Sequence, residues 1–203
     1  PAAFTPYDLD RENYTTLLWA FEGFTSYYDD LALLRSGVID ARSYLDLIGK
    51  TIANVERGAG RHKQSVAESS FDAWIKYYRQ DENTPNALVS YYAKGSLIAL
   101  ALDLTLRSRT AGQVSLDDLM RELWKRHGAT GCGVEKGDIP RLAEEISGLR
   151  LNPLFAAWVH GTGDLPLAGL LKSLGVELHR EAGSTLPDLG ARNGDDHRTP
   201  LDE

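Results

Sequence analysis

The segment from about Ala87 to Arg107 constrains the fold more than any other part of the chain. Its apolar residues follow helical spacing, and near Ile98 to Leu104 they lie on nearly every side of the predicted helix. Such a helix is buried, because it has no face that prefers water. We therefore expect it to be the centre of an array, with other helices packed around it.

Helical periodicity recurs on both sides of this segment. One long helix is predicted from Leu17 to Arg35, with Gly37 where it would end. Asp40 is placed to cap a second helix that runs to Gly58. Further helices are predicted over Ser65–Tyr78, Ser115–Arg126, Ile139–Ser147, Pro153–Val159 and Leu167–Leu174. The predicted fold class is therefore all-α, a multi-helix bundle or array.

The last part of the chain has a different pattern. Residues 175–180 alternate like one short strand, although a lone strand has no neighbour for its backbone hydrogen bonds. Beyond them the chain becomes polar and glycine-rich. We expect a helical region over residues 1–180 and a largely disordered tail over residues 181–203.

Composition excludes several classes of function. With 203 residues, 42% of them hydrophobic, the chain is long enough for a real core. A net charge of -7 argues against a nucleic-acid partner. No apolar run approaches the ~20 residues that cross a bilayer, so we expect a soluble protein, cytoplasmic or periplasmic, with no membrane partner. The single cysteine, Cys132, excludes an internal disulfide and a cysteine-based zinc site.

One carboxylate, Glu22, stands inside an otherwise aromatic and mostly apolar stretch, Leu18–Tyr28. Burying a carboxylate is costly unless it is paired or bound to a metal, so Glu22 needs a partner. The alternative is a partly exposed glutamate near a helix N-terminus, where the helix dipole favours negative charge whatever the function. From the pattern alone, this alternative is the better interpretation.

Several separated motifs resemble one family, the glycyl aminopeptidases, which are PDZ-bearing gluzincin metallopeptidases related to the aminopeptidase N group. That family has a Trp-x-x-Glu-Gly-Phe setting, which Trp19, Glu22, Gly23 and Phe24 match. Other matching segments, in order, are Asp10–Tyr14, Ser70–Lys76, Pro85–Asn86, Ser90–Gly95 and Gly161–Pro166. The resemblance extends over about residues 1–180 and implies the helical part of a gluzincin peptidase unit.

The resemblance also implies two site residues. Zinc would be held by two histidines of a His-Glu-x-x-His helix and by Glu22, with the fourth position open for water. Tyr92-Ala-Lys-Gly95 has the form of a family motif whose tyrosine stabilises the oxyanion of the tetrahedral intermediate. Tyr91 competes for this role, because two neighbouring rings on one helix point about 100° apart. A tyrosine buried in the core is the commoner fate at such spacing, but we favour Tyr92.

No histidine pair in the chain has the spacing of a helical zinc site. The five histidines are His62, His127, His160, His179 and His197, and no two of them stand four apart. The resemblance therefore implies that the His-Glu-x-x-His helix, with its general-base glutamate, precedes residue 1 in a longer parent protein. Zinc would belong to that parent and be absent from this chain alone. Residues 188–192 resemble the lead-in to the family's PDZ domain.

The expected function is that of a piece of a zinc-dependent aminopeptidase, which removes small N-terminal residues, glycine or alanine, from peptides. The isolated chain is expected to be inactive. Its expected partners are the peptide substrate, the upstream catalytic segment and, through uncovered apolar surface, a second copy of itself. The alternative is a non-catalytic helical scaffold of a degenerate peptidase, in which Glu22 and Tyr92 are ordinary packing or surface residues.

Overall fold

The computed structural model of the protein describes residues 1–181 and consists of helices and their connections. The helices are α1 (Leu18–Arg35), α2 (Ala41–Arg57), α3 (Val66–Phe71), α4 (Thr84–Ala87), α5 (Ala93–Arg109), α6 (Leu116–Leu123), α7 (Asp138–Ser147), α8 (Asn152–Phe155) and α9 (Leu167–Lys172). Wider π-helical turns follow α3, α6 and α8 over Ala73–Tyr77, Trp124–Gly128 and Ala156–His160. The predicted all-α array is confirmed, whereas most of the predicted tail lies outside the described residues.

α5 is the central helix, as its sequence predicts. Its residues from Leu97 to Leu106 are all buried, and α1, α2, α6 and α9 pack around it. Each fully buried leucine or isoleucine on such a helix contributes about 1.5–3 kcal/mol relative to an exposed one. In the described part of the chain, no helix has both the length and the apolar character required to cross a membrane.

α1 crosses α5 in direct backbone contact at two glycines. A Cβ atom added to Gly23 would lie 2.6 Å from the Cα atom of Gly95. One added to Gly95 would lie 2.6 Å from the carbonyl oxygen of Trp19. Only glycine fits at either position, because a methyl group would overlap the main chain of the facing helix.

Replacing Gly23 by alanine is expected to lower the free energy of unfolding by about 1–3 kcal/mol, because the helices must separate to admit the methyl group. Gly49 in the middle of α2 is a matched control, since an added Cβ there has no atom within 4 Å. Alanine at Gly49 is expected to stabilise the protein by about 0.5–1 kcal/mol. Urea unfolding of both variants measures the difference. If the Gly23 and Gly49 variants had the same free energy of unfolding, the crossing of α1 and α5 would tolerate a side chain.

Asp103 joins α5 to its neighbours from within the core. Its buried carboxylate accepts hydrogen bonds from the Tyr27 hydroxyl at 2.9 Å, the Leu116 backbone N–H at 2.7 Å and Arg107 Nε at 2.9 Å. The bond to Leu116 holds the first turn of α6, where Ser115 and Asp118 also form a capping box. α6 is therefore fixed to the central helix at its N-terminal end.

The fold differs from the sequence prediction in three places. Residues 176–180 form no strand, and the described residues offer them no strand to pair with. The helix predicted from Ala87 begins instead at Ala93, because the backbone at Leu88 is extended. In the helix predicted over Ser65–Tyr78, the large apolar residues Phe71, Trp74 and Ile75 are 42–48% exposed and do not form a buried face. The π-helical turn at Ala73–Tyr77 rotates this face away from the core.

Candidate active site

The Trp-x-x-Glu-Gly-Phe motif places Glu22 at the edge of the buried face of α1. Trp19, Gly23 and Phe24 are buried, with the two rings packed edge to face at 5.8 Å. The Trp19 backbone N–H donates to Ser70 Oγ at 2.9 Å, which ties the first turn of α1 to α3. Because successive helical residues are about 100° apart, Glu22 points away from the Gly23 contact and is half-buried.

The Glu22 carboxylate has no hydrogen-bond or ion-pair partner among residues 1–181. It is the fifth residue of α1, and the first turn of this helix carries no acidic residue. The field of the helix dipole is confined to the first turn, so it does not account for a glutamate at this position. A half-buried carboxylate without a partner is instead suited to bind a cation or a hydrogen-bond donor.

Glu22 opens into a cavity of about 270 Å³ with mostly aromatic walls. The cavity is lined by Phe4, Tyr7, Leu18, Glu22, Ala73, Trp74, Tyr78 and Tyr91. Glu22 is the only charged residue in this set, and tyrosine hydroxyls are the other polar side-chain groups besides the indole N–H. The cavity therefore offers one carboxylate that can bind a cation and several groups that can donate hydrogen bonds to an anionic or carbonyl oxygen.

Tyr91 and Tyr92 lie in the turn that leads into α5. Their rings stack at 4.7 Å with 29° between the planes. The Tyr91 hydroxyl donates to the Tyr78 hydroxyl at 3.1 Å, and the hydroxyls of Tyr78 and Tyr92 are 3.5 Å apart. Both tyrosines precede α5, so the 100° spacing of helical residues does not apply to them. Of the two, Tyr91 lines the Glu22 cavity and Tyr92 does not.

The environment keeps these phenols protonated. Burial, the hydrogen bond with Tyr78 and the charge of Glu22 raise the pKa of Tyr92 to about 12. Burial, assisted by the hydrogen bond to Tyr78, also raises the pKa of Tyr91 above its usual value. A neutral phenol is a hydrogen-bond donor, so the Tyr92 hydroxyl has a proton to donate at neutral pH, whereas the proton of Tyr91 is already donated to Tyr78. Tyr91 lines the Glu22 cavity, whereas Tyr92 is connected to it through the Tyr78 hydroxyl.

Lys94 links two of the segments that carry the family resemblance. Its side chain is buried, and Nζ donates to the carbonyl oxygen of Gly163 at 3.3 Å. Burial lowers the pKa of this ammonium group. The contact holds the Gly161–Pro166 segment against the start of α5, so Lys94 has a structural role, as does Gly95 at the helix crossing.

The described residues fit one zinc ligand and not a complete site. No group of three histidine, cysteine, aspartate or glutamate side chains within residues 1–181 is arranged to hold a metal ion. His62, His127, His160 and His179 are scattered through the fold, and His197 lies outside the described residues. Glu22, with its free carboxylate in the aromatic cavity, suits a single anionic ligand whose partners come from elsewhere.

Tyr78 is a site residue that sequence reasoning missed. It follows the π-helical turn, and its hydroxyl joins those of Tyr91 and Tyr92 beside Glu22. Its only sequence signal is its place directly after the Ser70–Lys76 segment, within a predicted amphipathic helix. Periodicity treats such an aromatic residue as a packing residue, so it gives no reason to single it out.

Known proteins share both the sequence and the fold of this region. A sequence model of the M61 glycyl aminopeptidase family matches residues 1–98. The crystal structure of an aminopeptidase N family protein from Idiomarina loihiensis matches with a TM-score of 0.85 and 46% sequence identity, over 87% of this chain. The chain spans 30% of the length of that protein. No curated protein matches the chain significantly.

The matches in sequence and in fold show that this region is similar to peptidases of the M61 glycyl aminopeptidase and aminopeptidase N families. Both Glu22 and Tyr92 lie within residues 1–98, the part that matches the M61 family model. The resemblance drawn from the separated motifs is thereby confirmed.

Proposed function

We propose that the chain is part of a zinc-dependent aminopeptidase, to which it contributes the zinc ligand Glu22 and the oxyanion-stabilising residue Tyr92. The observation that carries the proposal is the half-buried Glu22 carboxylate, which has no partner within residues 1–181 and lines a cavity together with Tyr78 and Tyr91. The hydroxyl of Tyr92 lies 3.5 Å from that of Tyr78. The family match of residues 1–98 supports it.

Glu22 would bind zinc together with two histidines from a part of the parent protein that precedes Pro1. When bound, zinc supplies an activated water at neutral pH and polarises the scissile carbonyl. The general base would be the glutamate of the same preceding His-Glu-x-x-His helix. The contribution of this chain is a fixed carboxylate, held in place by the contacts of Trp19 and Gly23 on either side of it.

The Tyr92 hydroxyl would donate a hydrogen bond to the oxygen that becomes negatively charged during attack on the carbonyl. Its high pKa keeps the proton on the hydroxyl, so it stabilises the anion without ionising. The hydroxyl of Tyr78 and the ring of Tyr91 orient the Tyr92 phenol. Such preorganised donors are effective because they do not have to rearrange when the charge appears.

The proposed substrates are peptides with glycine or alanine at the N-terminus, as the description of the M61 family suggests. Binding of the substrate amino group is assigned to the preceding part of the parent. The isolated chain lacks the two histidines and the general base, so we propose that it hydrolyses no peptide and binds no catalytic zinc.

The test compares the parent protein, including the sequence before Pro1, with the chain of residues 1–203. We expect the parent to bind zinc stoichiometrically and to hydrolyse glycyl and alanyl amides, whereas the shorter chain does neither. Bound zinc is measured by elemental analysis and hydrolysis by release of a chromogenic amine. A parent that has no His-Glu-x-x-His sequence, and neither binds zinc nor hydrolyses amides, would leave the helical scaffold as the correct interpretation.

A further inference from the structure

A wide apolar groove, here called the α1–α6 groove, runs between α1 and the segment from α6 to Ile139. Its volume is about 900 Å³, and among residues 1–181 Asp29 is the only charged residue that lines it. Trp124 is 67% exposed in the groove, and Phe21, Leu33 and Met120 are 36–40% exposed. Contiguous apolar surface of this kind marks a place that another apolar surface covers.

The walls of the groove are tied together by polar contacts. The hydroxyl of Tyr28 on α1 donates to Asp117 on α6 at 2.7 Å. Arg35, at the end of α1, donates to both carboxylate oxygens of Asp117, at 3.0 and 2.8 Å. Since the Leu116 N–H is also bonded to Asp103 in the core, α6 is fixed relative to α1. The groove is a preformed surface.

The groove lies next to the candidate zinc ligand on the same helix. Glu22, Asp29 and Leu33 lie within about 20° of one direction around α1, because they are seven and eleven residues apart on a helix of 3.6 residues per turn. On α1 the lining of the groove begins with Ala20 and Phe21, whereas Glu22 opens into the separate aromatic cavity. Glu22 therefore lies at the edge of the α1 face that lines the groove.

The first residues of the chain lie at the rim of the groove. The Ala2 backbone N–H donates to the carbonyl oxygen of Val134 at 2.9 Å, and Val134 lines the groove. Gly133 admits this contact, because a Cβ atom there would lie 2.8 Å from the Ala2 nitrogen. Polypeptide that precedes Pro1 in a longer protein would thus arrive at the groove without having to cross the rest of the fold.

We infer that the α1–α6 groove is the docking surface for an apolar helix from the part of the parent polypeptide that precedes Pro1. The related protein from Idiomarina loihiensis is more than three times as long as the region shared with this chain, which spans 30% of it. The length of that protein, the position of Ala2 and the apolar lining of the groove all favour such a helix as the occupant. The inference rests on the proposed function in one respect: the docked part of the parent is also the part that carries the two zinc-binding histidines.

Cysteine labelling tests this inference. Because Cys132 is the only cysteine of the chain, its replacement by serine gives a background for the single substitutions Leu33→Cys and Met120→Cys. Val38→Cys is the control, since Val38 is 71% exposed just beyond α1 and does not line the groove. Each variant is made in residues 1–203 and in the parent, labelled with a maleimide, and its labelled peptide is quantified by mass spectrometry.

We expect labelling at positions 33 and 120 to be at least about tenfold slower in the parent than in the shorter chain, because a covered thiol is not accessible to the reagent. The rate at position 38 is expected to be the same in both. Equal rates at the groove positions would overturn the inference, and so would protection that appears in the shorter chain as its concentration rises, since a second copy would then be the occupant.

Zinc content measured on the same samples separates the two proposals. Fast labelling of the groove in a parent that binds zinc and hydrolyses amides overturns the docking inference and leaves the proposed function intact. Slow labelling in a parent that neither binds zinc nor hydrolyses amides supports docking and overturns the proposed function. Two groove positions are used so that one poorly folded variant does not decide the result.

Discussion

Replacing Glu22 by glutamine in the parent protein is expected to abolish zinc binding and amide hydrolysis together. The amide keeps the size of the carboxylate but removes the negative charge that zinc prefers in a ligand. We expect metal affinity to fall by more than about 100-fold, since even indirect partners of metal ligands account for 10–100-fold effects. Zinc content after dialysis and the rate of glycyl-amide hydrolysis measure the two losses.

The control for this substitution is Glu177→Gln, because the Glu177 side chain is 68% exposed and does not line the cavity at Glu22. The Glu177→Gln substitution is expected to change neither the zinc content of the parent nor its rate of amide hydrolysis. Glu22 has no partner within residues 1–181, so its replacement is expected to shift the free energy of unfolding of the chain by less than about 0.5 kcal/mol. A glutamine variant with full zinc content and full activity would remove Glu22 from the metal site.

Replacing Tyr92 by phenylalanine is expected to lower kcat by about 10²–10³-fold while zinc remains bound, because one oxyanion donor is lost. The phenyl ring preserves the stack on Tyr91, so the fold at the start of α5 is retained. Tyr91→Phe is the matched comparison and is expected to reduce kcat much less, since its hydroxyl donates to Tyr78. The opposite order of effects would assign the donor role to Tyr91.

The pH dependence of the wild-type parent gives a second measure of Tyr92. A tyrosine donates from its protonated form, which is present below its pKa and lost as the pH rises through it. Because the Tyr92 pKa is raised to about 12, the donor should remain intact throughout the neutral and mildly alkaline range. The usual pKa of tyrosine is about 10. A fall in kcat near that pH, caused by loss of the Tyr92 hydroxyl proton, would contradict the assignment of Tyr92 as the donor.

The central helix and the motif at Glu22 were predictable because their signals are local. An all-round apolar stretch requires burial, and the spacing of Trp19, Gly23 and Phe24 places one face of α1 inward. The start of α5 was not predictable in this way. The Val89 N–H donates a hydrogen bond to the side chain of Gln64, and the Val89 carbonyl oxygen accepts one from the Ser69 hydroxyl. Gln64 and Ser69 are both distant from Val89 in the sequence. These contacts hold an extended segment where propensity alone predicts a continuous helix.

The arrangement of the tyrosines was beyond sequence reasoning for the same reason. A π-helical turn adds a residue to the helical repeat, which moves Tyr78 to the side where the Tyr91 and Tyr92 hydroxyls lie. No local pattern marks that extra residue. The resemblance suggested one tyrosine, whereas the structure brings three phenol groups together, and two of them, Tyr78 and Tyr91, line the cavity at Glu22.

The glycine crossing of α1 and α5 also sets limits on how this region can change. Glu22 is adjacent to Gly23, and Tyr92 lies three residues before Gly95. The distance between Glu22 and Tyr92 is therefore set by the backbone contact of these two glycines and not by side chains that could adjust. Within the proposed mechanism, more room for substrate between Glu22 and Tyr92 would require α1 and α5 to separate. Adaptation to bulkier peptides would therefore have to occur in the walls around this pair, such as Phe4 or Trp74, while the pair itself keeps a constant separation.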